Sequence, residues 1–271
     1  MSFCEEDHFG FGGCGGASAA FQCAQLRPDW FETHFRGTPR GMLNYRSAEL
    51  KLDLDFALSH YRIEHPDVCY LQIGAFDGIQ GDPVYPLIVR HSLRGILLEP
   101  QKDAFARLKE NYAKFSGFRF INAAIAAHDG ESILYRIKPE AKGPAWLHQI
   151  ASFDREVILR HAQMVPNLES MIETEKVRCM SFATLFDEVG LQTVDMLQVD
   201  AEGFDAEILR LFDVAKRAPA IVRFEHKHLS TADHADTLAM LVRGGYRFAV
   251  CGSDTLAYRY PLAHSSSDCC G

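Results

Sequence analysis

Several features are absent from the chain, and each absence counts against a class of function. Its 28 basic residues are outnumbered by 36 acidic ones, which gives a formal net charge of −8. There is therefore no overall basic excess of the kind that attracts nucleic acids. The eight cysteines form no Cys-x-x-Cys pair, so the pattern of most structural zinc sites is missing. We expect reduced thiols, no metal and no nucleic-acid partner.

Signals for membranes and secretion are also missing. No apolar run approaches the roughly 20 residues of a membrane-spanning helix. Glu5, Glu6 and Asp7 stand where a signal peptide would carry positive charge and then an apolar run. We expect a cytoplasmic protein without a membrane partner, whose oligomeric state the sequence leaves open.

Composition divides the chain into a body and two tails. Residues 1–25 are rich in Gly, Ala and Ser without a hydrophobic period, which is typical of a flexible arm. Residues 265–271 form a similar tail. Residues 26–264 are long enough to form one domain with a large core.

Within the body, short apolar runs alternate with helical patterns. This alternation predicts an α/β fold with a mostly parallel, doubly wound sheet. A break in the alternation near residues 139–180 indicates an insertion that caps the carboxyl edge of the sheet. Asp82 is predicted to be the N-cap of a helix, and Pro83 its first residue. The predicted strands are 68–73, 96–99, 118–125, 132–137, 194–200 and 220–226, followed by an antiparallel pair at 246–251 and 255–260.

The first predicted strand ends in a glycine turn at 74–78, at the sheet edge where such folds bind ligands. Glycine lets the backbone approach a ligand closely, and Asp77 can accept hydrogen bonds from one. The turn lacks the G-x-G-x-x-G spacing that suits a pyrophosphate, so a ligand without phosphates fits better. A plain strand-to-helix turn is the structural alternative.

Acidic residues end two further predicted strands. Glu99 could accept hydrogen bonds from both ribose hydroxyls of an adenosine ligand, or could simply favour the start of a helix. Asp200 and Glu202 could orient an ammonium group or act on a substrate hydroxyl. Capping of the following helix is the alternative for both, and it is the role we expect for Asp205.

Taken together, these segments resemble the successive motifs of the FkbM-type methyltransferase family. The resemblance spans roughly residues 68–250 and implies a Rossmann-like class I methyltransferase fold with S-adenosyl-L-methionine as cofactor. It also implies methyl transfer, usually to a hydroxyl oxygen of a saccharide or secondary metabolite. Phe76 and Gln198 depart from the Asn and Lys that the family often has. The matching segments are YLQIGAFDG at 70–78, GILLEP at 95–100, NAAI at 122–125, DMLQVDAEG at 195–203 and FEH at 224–226.

The resemblance also implies roles for individual residues. Glu99 would bind the ribose, Asn122 and Ala123 the adenine, and Asp200 and Glu202 would lie at the methyl group. The residues implied along the methionine half of the cofactor are Gly74, Ala75, Asp77 and Gly78.

Methyl transfer to an alcohol benefits from an aligned acceptor and a general base. His226 and His228 are two residues apart at the end of the strand predicted at 220–226, so both could face one side of it. His226 is the candidate base, although a structural histidine fits the sequence as well. Two such histidines could suggest a metal, but no third ligand is evident. The candidate acceptor contacts in the insertion are His148, Ser152, Asp154 and His161.

Two other functions stay open. An NAD-dependent oxidoreductase would share the doubly wound sheet and the acid after the second strand. The missing glycine fingerprint and the nearby Pro83 and Pro86 count against it. A non-catalytic methyltransferase-fold protein that binds a partner is the second alternative, against which the glycine turn and the strand-end acids count.

Overall fold

A computed structural model describes residues 47–259. The predicted arm at 1–25 and tail at 265–271 lie outside the described residues. The helices are α1 Ser47–Glu64, α2 Tyr85–His91, α3 Lys102–Asn111, α4 Arg155–Leu159, α5 Leu168–Met171, α6 Phe182–Val189, α7 Asp205–Phe212, α8 Val214–Arg217 and α9 Thr231–Arg243. The strands are β1 Cys69–Ile73, β2 Arg94–Leu98, β3 Phe118–Ile121, β4 Ala124–Ile125, β5 Gly130–Ile137, β6 Ile172–Met180, β7 Met196–Val199, β8 Ile221–Glu225, β9 Arg247–Cys251 and β10 Asp254–Tyr258.

The central sheet has the strand order β3-β2-β1-β7-β8-β10-β9. The first five strands in that order run parallel, and β10 pairs antiparallel with both β8 and β9. This arrangement confirms the predicted doubly wound sheet with an antiparallel C-terminal strand. Because the chain winds outward from β1 in one direction and then from β7 in the other, the switch point lies between these two strands. Ligands bind at the carboxyl ends of the strands that flank such a point.

One hydrophobic core packs helices onto the sheet. It joins Leu58 of α1, Ile88 of α2 and Leu108 of α3 with buried strand residues such as Tyr70 and Leu97. Burial of each large apolar side chain stabilises the fold by roughly 1.5–3 kcal/mol. The strands that carry the site residues are therefore held by a common core.

A second sheet, with the order β4-β6-β5, differs from the expectation. The predicted strand 118–125 is two strands that belong to different sheets, because the Asn122 side chain binds neighbouring backbone carbonyls at the break. Strand 172–180 was predicted to belong to an irregular insertion, yet it pairs with the whole of β5. The remaining stretch of the insertion has its own small core, which includes Leu147, Ile158 and Leu168.

The helix after the glycine turn also starts later than predicted. It begins at Tyr85 with Val84 as its N-cap, not at Asp82. The Asp82 carboxylate accepts hydrogen bonds from the Val84 amide at 2.7 Å and from Nε2 of Gln72 at 3.1 Å. It therefore stabilises the loop before the helix. Within residues 47–259 no helix combines the length and apolarity needed to span a bilayer.

The close approach of β1 and β2 generates a prediction. A Cβ atom at Gly95 would lie 2.1 Å from the Tyr70 carbonyl oxygen, whereas one at Gly190 would meet nothing within 4 Å. We expect Gly95→Ala to lower the free energy of unfolding by about 3 kcal/mol or more through overpacking. The control Gly190→Ala should cost only about 1–2 kcal/mol, because that residue has a φ of 63°. Urea unfolding measures both, and equal losses would contradict the packing explanation.

Candidate functional site

A cleft of about 890 Å³ opens at the carboxyl ends of β1, β2 and β7. Its walls come from the loops that follow these strands, from residues 123–125 and from residues 149–153 of the insertion. The cleft therefore lies at the switch point of the sheet, where this type of fold binds ligands.

The glycine turn forms one wall of the cleft. Gly74, Ala75 and Phe76 line it, and the amides of Gly74 and Ala75 donate to the Leu98 carbonyl at 3.0 and 2.9 Å. Gly74 has a φ of 78°, and a Cβ there would lie 1.8 Å from the Asp200 carbonyl oxygen. Only glycine allows both this conformation and this contact.

Asp77 and Gly78, the last two residues of the turn, do not line the cleft. Oδ1 of Asp77 accepts hydrogen bonds from the amides of Ile79 at 2.9 Å and Gln80 at 2.8 Å. A Cβ on Gly78 would collide with the Leu108 and Tyr112 side chains, so this glycine serves helix packing. The two residues thus shape the turn, and the structure does not bring them to the cleft as the resemblance implied.

Glu99 is the buried acid of the cleft, with 3 % of its surface exposed. Its Oε2 accepts the Phe76 amide and its Oε1 accepts the Gln101 amide, each at 2.8 Å. Burial outweighs these hydrogen bonds and raises the pKa of Glu99 from 4.5 to about 7. The Gln101 side chain also donates to Glu99. A carboxylate has about four acceptor positions, so one ligand hydroxyl can bind directly and a second can bind where it displaces the Gln101 side chain.

Asn122 and Ala123 have separate roles. The Asn122 Nδ2 donates to the carbonyls of Glu99 at 2.8 Å and Pro100 at 3.0 Å, and Asn122 does not line the cleft. Ala123 does line it, together with Ala124. The asparagine therefore holds the loop after β2, and the alanines supply an apolar wall.

Two of the predicted acids lie on the opposite wall. Asp200 and Glu202 both line the cleft after β7. The pKa of Asp200 lies well above its usual value because of burial and the nearby charges of Glu202 and Asp205. Asp205 itself is fully buried and accepts the amides of Ala201 and Gly203. It therefore stabilises the loop before α7, while the N-cap position that we expected for it belongs to Phe204.

The structure separates the two histidines that were expected to face one side. Strand β8 ends at Glu225, so the alternation does not continue to His226 and His228. The His226 ring stacks on His234 at 4.3 Å, and Nδ1 lies 3.1 Å from Oγ1 of Thr255. Burial and His234 lower the pKa of His226 to about 4. His226 does not line the cleft, so the geometry does not favour it as the base.

Of the four candidate acceptor contacts, only Ser152 lines the cleft, and its Oγ donates to the Glu202 carbonyl at 2.8 Å. His148 lies with Nε2 at 3.1 Å from the Ala141 carbonyl oxygen. Asp154 caps α4 by accepting the Glu156 amide at 2.9 Å.

His161, the fourth candidate, is buried between the rings of Trp146 and His228 at 5.3 and 5.2 Å. It therefore packs inside the insertion and is not one of the cleft-lining residues.

Sequence reasoning missed other residues of this wall. Phe153 and Phe204 line the cleft with their rings in edge contact at 5.9 Å. Gln149 lines it as well, and Glu225 and His228 lie close to Glu202 just beyond it. For Glu225 and His228 the available signal was the concentration of polar residues at the end of the strand predicted at 220–226.

The sheet order and the cleft define a class I methyltransferase fold. The chain belongs to the family described as the methyltransferase FkbM domain, whose model matches residues 72–248. A search of functionally curated proteins gave no match.

Solved structures of low identity resemble the chain over part of its length. Methyltransferase FkbM from Methylobacillus flagellatus KT is 14% identical with a TM-score of 0.44 over 72% of this chain, which spans only 43% of that protein's chain. The N-terminal domain of human METTL16 in complex with SAH is 12% identical with a TM-score of 0.42, covering 89% and 81% of the two chains. Precorrin-6y C5,15-methyltransferase from Geobacter metallireducens GS-15 is 12% identical with a TM-score of 0.36, covering 72% and 80%. Similarities at this level carry no information about the substrate.

The buried carboxyl of Glu99 predicts a pH-dependent stability. Between its ordinary pKa of 4.5 and about 7, the folded chain holds a proton that the unfolded chain has released, so this group makes stability fall as the pH rises. Glu99→Gln removes the titration. The difference in unfolding free energy between wild type and variant should therefore change by about 3 kcal/mol across this window and stay constant above it.

Urea unfolding at several pH values measures this difference. The exposed Glu156 provides the control variant Glu156→Gln for loss of a carboxylate. A wild-type-to-Glu99→Gln difference that does not vary with pH would contradict the assignment.

Proposed function

We propose that the chain is an S-adenosyl-L-methionine-dependent methyltransferase that methylates a hydroxyl oxygen of a saccharide or secondary metabolite. The observation that carries the proposal is Glu99, a buried carboxylate with a free acceptor position, fixed against the glycine turn in the switch-point cleft. The family membership supports the methyl transfer. The cytoplasmic location stays a prediction.

The residues of the cleft fit this cofactor. Glu99 would accept hydrogen bonds from the ribose hydroxyls, and Ala123 and Ala124 would form an apolar wall for the adenine. Gly74 and Ala75 let the backbone lie close to the methionine half, and the Asp200 carboxylate can pair with its ammonium group. Asp77, Gly78 and Asn122 support the turn and the loop from outside.

When bound, the cofactor supplies a methyl group that is already activated on a sulfonium, so the protein's main task is alignment. Glu202 and Ser152 lie on the wall that an acceptor would approach. We assign to Glu202 the role of accepting a hydrogen bond from the acceptor hydroxyl, which orients its oxygen. Phe153 and Phe204 cover this end of the cleft and help to exclude water. Such positioning can supply several kcal/mol of the rate enhancement.

Calorimetry with S-adenosylhomocysteine tests the cofactor site. We expect wild type to bind it and Glu99→Gln to bind more weakly by about 1–3 kcal/mol, because charge-assisted hydrogen bonds to the ribose are lost. Glu156→Gln should leave the affinity unchanged. Binding of NAD in place of S-adenosylhomocysteine would favour the oxidoreductase alternative and overturn the proposal.

The same experiment has a pH dependence. Ribose hydroxyls donate to the ionised carboxylate, so wild-type affinity should rise as the pH increases through about 7, the pKa of Glu99. Glu99→Gln should lose this dependence. An identical pH profile in both proteins would mean that Glu99 does not contact the ligand.

The reaction itself is tested by incubating the chain with S-adenosylmethionine and a panel of sugars and hydroxylated metabolites. Mass spectrometry should detect a methyl ether and an equal amount of S-adenosylhomocysteine. Methylation of amines alone would contradict the O-methyl assignment. Tight cofactor binding without turnover on any acceptor would favour the non-catalytic alternative.

A further inference from the structure

A cluster of three side chains lies beside the acceptor end of the cleft, and two of them, Glu225 and His228, have no role in the proposed methyl transfer. The ligand atoms of Glu202, Glu225 and His228 all lie within 4.8 Å of one another. Nε2 of His228 is 3.0 Å from Oε2 of Glu202 and 3.6 Å from Oε2 of Glu225. The His228 side chain is 4 % exposed and each glutamate side chain 14 %.

These three atoms are unsatisfied. Within the described part of the chain, Oε2 of Glu202, Oε2 of Glu225 and Nε2 of His228 form no hydrogen bond. The distance of 3.0 Å between Nε2 of His228 and Oε2 of Glu202 is short enough for a hydrogen bond, but the angle between the two groups is not suitable for one. Leaving a buried polar atom unpaired is destabilising, because the atom loses its hydrogen bonds to water and gains none in the protein. Three such atoms that converge indicate a missing common partner.

The charges around the cluster favour a cation as that partner. Glu225 is next to the carboxylates of Asp200, Glu202 and Asp205, and Lys227 offsets them only in part. Of the bonds that hold the cluster in place, one runs from Nη1 of Arg160 to the His228 carbonyl at 3.1 Å. This hydrogen bond holds the loop that carries His228 in place.

We propose that Glu202, Glu225 and His228 bind a divalent metal ion of the Mn²⁺ or Zn²⁺ type. With metal–ligand bonds of about 2.1 Å, the two separations of 3.0 and 3.6 Å correspond to ligand angles of roughly 90° and 118°, the first an octahedral angle and the second closer to a tetrahedral one. Two carboxylates with one imidazole suit these ions better than Ca²⁺, which takes oxygen ligands.

The site lies next to the cleft, which indicates a function for the bound ion. Glu202 also lines the cleft, and three protein ligands leave coordination positions open for water or a substrate oxygen. An acceptor hydroxyl bound there would be polarised and more easily deprotonated. This consequence depends on the proposed methyl transfer, whereas the binding of the ion does not.

Metal binding is tested on the full chain after treatment with a chelator. Titration with Mn²⁺, followed by the electron paramagnetic resonance signal of the free ion, should show one bound ion per chain that Zn²⁺ displaces. Glu225→Gln and His228→Gln should each weaken Mn²⁺ binding at least tenfold. The exposed residues Glu156 and His128 supply matched controls, and Glu156→Gln and His128→Gln should bind as wild type does.

Thermal unfolding keeps the test independent of variant stability. Without metal, Glu225→Gln should be about as stable as wild type, because the amide has the size and shape of the carboxyl group that it replaces. Saturating Zn²⁺ should raise the melting temperature of wild type more than that of Glu225→Gln, because the variant binds the ion more weakly. If wild type binds neither ion, or if the variants bind as tightly as wild type, the proposal fails, and in the first case His228 and Glu202 form only an internal ion pair.

Failure of the metal site can be told apart from failure of the proposed function. S-adenosylhomocysteine binding is measured in the presence of the chelator, where the Glu99 site should be unaffected. Retained S-adenosylhomocysteine binding without Mn²⁺ or Zn²⁺ binding would remove the metal proposal alone.

Discussion

The account depends on one buried carboxylate. Glu99 accepts the Phe76 amide with one oxygen and the Gln101 amide with the other, both at 2.8 Å. These bonds hold the turn after β1 against the loop after β2, so the two segments of the cleft wall have a fixed position relative to each other. Burial makes the charge costly and raises the pKa to about 7. A carboxyl group that stays buried although burial disfavours its charged form, and that can still accept a hydrogen bond, is suited to bind a ligand.

The cleft has two ends with different chemistry. Glu99 and the alanines after β3 form one end. At the other end, Asp200 and Glu202 crowd together with Glu225 beyond the wall, and burial with these neighbouring charges raises the pKa of Glu225 to about 10. The first end suits an adenosine, and the second suits cations and hydroxyl groups. A reaction that joins a cationic cofactor to a hydroxyl acceptor needs both ends.

Much of this arrangement could be predicted from the sequence. The parallel strands are short, apolar and separated by helical patterns, so their order and the glycine turn followed from local signals. The side chains were harder to place. Asp77 is short enough to bind its own backbone, and His226 lies one residue past the end of β8, where alternation stops. Strand β6 was missed because its pairing partner lies far away in the chain, which a local pattern does not reveal.

The most direct measurement is a crystal structure of the chain with S-adenosylhomocysteine. The account predicts the ribose hydroxyls within hydrogen-bonding distance of Oε1 and Oε2 of Glu99, about 2.5–3.0 Å, while the amides of Phe76 and Gln101 keep their bonds to the same oxygens. A ligand whose ribose lies against other residues, with Glu99 bound only by those two amides, would contradict it.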